Sequence, residues 1–103
     1  MNNSDFNEIK QLASQLQNLA KRANVEFTVE VDNIVNEQIK NQKVIENLLD
    51  RMLDFAQFDD VLLLYKKLCR YYLPLNPKAT AYYIYAYRDM WDNDEKEIEE
   101  DDE

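Results

Sequence analysis

The chain has no histidine and no glycine among its 103 residues, and only one cysteine and two prolines. Lack of histidine removes the commonest general base, the hydrolytic triads built on it and the best metal ligand. Lack of glycine removes the phosphate-cradling loops of Walker or dinucleotide type. It also removes the positive-φ turns that a multi-stranded sheet protein favours. A single cysteine, Cys69, forms neither an internal disulfide nor a cysteine-cluster zinc site. Its place between Leu68 and Arg70 in an apolar stretch reads as a buried structural thiol. No apolar run reaches the ~18 residues of a membrane span. The opening stretch MNNSDFNEIKQ lacks the charged lead and apolar run of a secretory signal. These absences lead to the expectation of a non-enzymatic protein with no metal, no cofactor and no membrane partner, in the cytoplasm or otherwise intracellular.

The hydrophobic fraction, 46%, is that of a globular chain. The length fits one domain. The net charge of −9 is unevenly spread. Residues 92–103, DNDEKEIEEDDE, hold nine acids and one lysine, a net −8, which leaves −1 on residues 1–91. A nearly neutral domain over 1–91 followed by a disordered acidic tail over 92–103 is expected, because such a run repels itself and has only Ile98 to bury.

The stretch Phe58 to Trp91 holds all seven tyrosines, the one tryptophan, the cysteine and both prolines. It reads as a helical hairpin onto which the rest packs. Asp60 to Tyr72 puts Val61, Leu64, Tyr65, Leu68, Cys69, Tyr71 and Tyr72 on one broad face, and Lys66, Lys67 and Arg70 on the opposite one. That helix stops before Pro74. Asn76-Pro77 is a start signal, cap then first helical residue, for a helix from Pro77 to Asp92.

Upstream, Asp5 and Glu8 resemble a capping box. Phe6, Ile9, Ala13, Leu16, Ala20 and Ala23 then alternate spacings of three and four, flanked by Leu12 and Leu19. This predicts a helix from Asp5 to Ala23. Residues 25–31, VEFTVEV, change period. Val25, Phe27, Val29 and Val31 alternate with polar residues, which reads as a short strand. The competing reading is helix, since Phe27, Val31 and Ile34 keep a three–four spacing. A further helix is expected from Asn33 to Gln57. Its second half is apolar, whereas its first half places Gln38, Asn41 and Gln42 on the same face. The sum is a mainly α, four-helix, bundle-like single domain. An unpaired strand or an amide-bearing helix face would each seek a second copy. The expected homodimer contact therefore involves Val29, Val31, Gln38, Asn41 and Gln42.

No repeat or catalytic motif appears. From Tyr65 to Trp91, five cations face one acid, Asp89. Cations and aromatic rings on one surface serve single-stranded nucleic acid. The plainer reading is that the tyrosines form core and the cations are solvated. Lys66, Lys67, Arg70, Tyr85 and Arg88 are the candidate partner-binding residues, with Tyr85 the tyrosine expected to be exposed. The functional expectation is a small regulatory protein-interaction module, an inhibitor or accessory factor that occludes a partner's surface. The Asn-, Lys- and Ile-rich composition hints at a viral or mobile-element source. The alternative is a nucleic-acid binder whose basic hairpin is shielded by its own tail.

Overall fold

The structure, a computed structural model, describes residues 2–92, and side chains from Asp5 onward. The tail expected over 92–103 lies outside the described residues, apart from Asp92. Four helices follow in order: α1 Asn2–Asn36, α2 Gln42–Leu53, α3 Asp59–Tyr72 and α4 Pro77–Trp91. No strand occurs among the described residues.

Residues 25–31 are helical, within a single α1 of 35 residues. The β-branched alternation is overruled by burial. A helix brings Phe27, Val31 and Ile34 to one side, where they are 5%, 0% and 3% exposed. Val25 and Val29 are left outside, at 65% each. A strand would have put all four valine and phenylalanine positions on one face with no neighbouring strand to satisfy its backbone.

The chain turns at 37–41 instead of near residue 24. Gln38 takes a left-handed conformation, φ 54°. Its amide donates to the Val35 carbonyl, and the Ile39 amide donates to the Ile34 carbonyl at 3.0 Å. This is a Schellman closure, with Ile39 folded back onto the core. In a chain with no glycine, glutamine occupies the position that glycine usually takes. Asn41 then caps α2, its side chain accepting from the Val44 amide at 3.1 Å. The long helix expected over 33–57 is thereby split between the end of α1 and α2. At α4 the Asn76 side chain accepts from the Ala79 amide at 3.0 Å, with Pro77 opening the helix as expected.

α3 packs against α1, α2 and α4. Its buried arc, Val61, Tyr65, Leu68, Cys69 and Tyr72, meets Phe27, Val31 and Ile34 of α1 and Ile45, Leu48, Leu49 and Met52 of α2. Two exposed ion pairs join the rims. Arg51 grips Glu30 with two nitrogens, at 2.6 and 3.0 Å. Lys67 reaches Asp32 at 3.1 Å. Each contributes at most ~1 kcal/mol, so apolar burial sets the arrangement.

Leu49, fully buried, should cost about 2–5 kcal/mol when cut to alanine, read as an earlier midpoint in urea unfolding. Gln38→Gly should stabilise by up to ~1 kcal/mol, because the left-handed backbone no longer works against a side chain.

Candidate functional site

Between α3 and α4 lies an open groove of about 300 Å³. One wall is the row Leu62, Lys66, Cys69, Arg70 and Leu73 on α3, and the other is Thr80, Ile84 and Tyr87 on α4, with Tyr65 at the floor. The groove exists because α4 meets α3 only along a narrow strip, with Thr80 and Tyr83 buried there. Thr80 donates its hydroxyl back to the Asn76 carbonyl at 2.9 Å, which satisfies its polar atom at the groove wall. Tyr65 donates to the Tyr83 carbonyl at 2.6 Å, which locks the floor. The lining is mostly apolar, with Cys69 and Thr80 among the leucines, isoleucine and tyrosines and the cations Lys66 and Arg70 at the rim. Both cations are exposed, and among the described residues no carboxylate lines the groove.

The structure separates the cations that the sequence groups together. Successive helical residues differ by ~100°. Lys66 and Arg70 therefore look into the groove, whereas Lys67 looks toward α1 and pairs with Asp32. Arg88 lies one turn beyond Ile84 on the same side of α4, at the end of the groove. Tyr85 is exposed, as expected, but on the outer face of α4. Tyr82 joins it there at 65% exposure, against the expectation that it packs inward; α4 has one buried strip, and Thr80 and Tyr83 fill it. Of the residues expected at a dimer contact, Val31 is inside the core and Gln38 and Asn41 build the 37–41 turn. Gln42 accepts from the Asn76 side chain at 2.8 Å, and Val29 alone stands exposed and uncommitted. Sequence reasoning missed Leu62, Leu73 and Ile84. The signal was the apolar residues interleaved with Lys66 and Arg70 at spacings of three and four.

Most tyrosines act as polar bolts between helices. The Tyr72 hydroxyl donates to Glu46, Tyr83 donates to Asp50 at 2.8 Å, and Tyr71 donates to the Ile39 carbonyl at 2.7 Å. Trp91 adds an indole bond to the Leu53 carbonyl at 2.8 Å. Burial first, and the Glu46 carboxylate second, push Tyr72 up to about 12. Burial likewise holds Tyr65 and Tyr83 far above the ordinary phenol range. Burial pushes the Cys69 thiol up to about 11, with Arg70 acting in the opposite sense. A thiol held protonated is a poor nucleophile. Among the described residues no group of three or more acids and cysteines is placed to hold a metal ion. Chemically, the groove can bury alkyl groups and pair with carboxylates. No protein-family model, curated protein or solved structure matches the chain.

A phenol whose folded pKa lies above its unfolded value, near ~10, binds its proton more tightly when folded. Its contribution to stability is complete below pH ~10 and is lost as pH rises through the folded value. The protein should therefore unfold at alkaline pH, and Tyr72→Phe should make stability fall less steeply between pH 10 and about 12. Circular dichroism during a base titration reads this directly.

Proposed function

We propose that the chain is a non-enzymatic interaction protein and that the α3–α4 groove is its partner-binding surface. The observation that carries this reading is an apolar groove with two rim cations, Lys66 and Arg70, that have no ion-pair partner among the described residues. The ligand that matches is a protein segment with an aliphatic residue set among carboxylates. The aliphatic side chain would lie against the apolar lining of the groove, and the carboxylates would meet Lys66, Arg70 and Arg88. Charge of this kind raises association rate and selects partners more than it adds affinity. A regulatory role follows from occlusion: a partner segment held in the groove is withheld from its other contacts. An inhibitor or accessory factor of a virus or mobile element fits that role.

The chain carries such a segment itself. Residues 92–103 set Ile98 among acids. Six residues beyond Asp92, at ~3.3 Å each, bring Ile98 within reach of a groove whose α3 wall spans ~16 Å. The tail is thus a competitor in cis for the same surface. The nucleic-acid reading rests instead on the outer face of α4, with Lys78, Tyr82 and Tyr85 exposed. Asp89 shares that face, and Lys66 and Arg70 are on the groove side, so Lys78 is the one cation that stands with these rings among the described residues.

The test uses a chain ending at Asp92, a fluorescent peptide of residues 92–103 and a labelled single-stranded oligonucleotide. The peptide should bind, more weakly at high salt, and should bind the full-length chain less well than the shortened one. Lys66→Glu with Arg70→Glu should lower its affinity at least about tenfold, two exposed charge contacts being reversed. No peptide binding, or binding indifferent to those substitutions, refutes the groove. Oligonucleotide binding that Tyr85→Ala removes would establish the nucleic-acid reading in its place.

A further inference from the structure

The first half of α1 stands largely outside the body, although on one side Gln17 and Lys21 share a shallow recess with Phe58, Asp59 and Asp60. The helix is ~52 Å long at 1.5 Å per residue, and the molecule's greatest extent is 54 Å. From Ala20 onward the helix lies on α2 and α3, with Ala20, Phe27, Val31 and Ile34 buried. Before it, Phe6, Ile9, Leu12, Leu16 and Leu19 are 60%, 62%, 65%, 42% and 53% exposed. These five side chains are not scattered. At ~100° per residue Phe6, Ile9 and Leu16 fall on the same stripe that buries Phe27 and Ile34 further along, and Leu12 and Leu19 widen it on one flank. One apolar seam therefore runs the length of α1, covered at its C-terminal end by the body and uncovered at the other.

We infer that this overhang, residues 5–19, pairs antiparallel with the same overhang of a second copy. Spacings of three and four over several turns are what a packed helix partner requires. Direction follows from the body. In a parallel pair, the second α1 would continue along the seam past Ala20, into the volume that α2 and α3 occupy. In an antiparallel pair it continues past the tip of the first, into open solvent, and the two bodies lie at opposite ends. The overhangs then match in length. Phe6 meets Leu19, Ile9 meets Leu16, and Leu12 meets Ala13 across the two-fold axis. The acidic turn at the tip, Asp5 and Glu8, comes toward Lys21 and Arg22 of the other copy, whereas a parallel pair stacks like on like. Covering five large side chains on each copy removes on the order of 1,000 Å², the size at which specific interfaces begin. The polar side of this segment is mostly Asn, Gln and Ser, with Lys10 the lone cation between Asp5 and Lys21. A membrane-surface helix would carry a cationic polar face.

Sedimentation equilibrium of the full chain should give twice the 12.4 kDa of one copy at micromolar concentration. Leu12→Glu with Leu16→Glu should return it to one copy, with near-ultraviolet dichroism and the core's melting temperature unchanged, since both positions are exposed in the single chain. Direction is read from disulfides. A mixture of Ile9→Cys and Leu16→Cys chains should cross-link as the mixed pair on mild oxidation, and Ile9→Cys alone should not; Cys69, buried, stays out of the reaction. A single copy throughout the micromolar range overturns the inference, as does a double-glutamate variant that still sediments as two. Cross-linking of Ile9→Cys to itself overturns the antiparallel arrangement. Binding of the single-copy chain to phosphatidylserine vesicles would assign the seam to a lipid surface and overturn it as well.

Discussion

Helix α3 must be covered on three sides, and the rest of the molecule follows from that demand. Its buried arc runs from Val61 through Tyr65, Leu68 and Cys69 to Tyr72, and three other helices share the work of covering it. α1 and α2 meet it with apolar side chains, Phe27 among them. α4 meets it along a narrow strip and is held in place by phenol bonds from Tyr65 to its backbone and from its own Tyr83 to α2. The incomplete cover on the α4 side is the groove. A wider contact there would have closed it and left Lys66 and Arg70 over a sealed core.

The same reasoning explains why α1 is longer than the body needs. The buried positions of α1 run from Ala20 to Ile34, with Val35 packed beside them, yet the apolar seam begins at Phe6. Helices gain most of their stability from packing an apolar face, not from propensity. A seam maintained over four turns beyond its own body is therefore written for a contact that a single copy does not supply. The two proposed surfaces, groove and seam, lie on different elements. Either can operate without the other, and together they would make a bivalent molecule with two grooves at opposite ends of a helical spacer.

Much of the fold was legible in the sequence for identifiable reasons. α3, α4 and the cap at Asn76-Pro77 are written in strong local signals: an uninterrupted apolar face, a proline that stops one helix and another that starts the next. The segment 25–31 was ambiguous because Val25 and Val29 give it a two-residue period although neither is buried. The period of the residues that do bury, Phe27, Val31 and Ile34, is helical, and burial decides. The 37–41 turn was illegible because glutamine at Gln38 takes a left-handed backbone that composition assigns to glycine. The split between Lys67 and its neighbours follows from which side of α3 meets α1, a tertiary fact. The groove was half visible, in Lys66 and Arg70. Its apolar lining was not, since Leu62, Leu73 and Ile84 look like ordinary core residues until α4 is placed.

The central claim is that one cooperative body, centred on α3, ends at Ala20. Native-state hydrogen exchange of backbone amides tests it most directly. Amides of Val61–Tyr72, Phe27–Ile34 and Ile45–Met52 should share the highest protection, equal to the global unfolding free energy. Amides before Ala20 should exchange from a separate, less protected unit, whose protection rises with protein concentration. If α3 exchanges faster than α1 or α4, or if residues 5–19 share the core's protection at every concentration, the account is wrong.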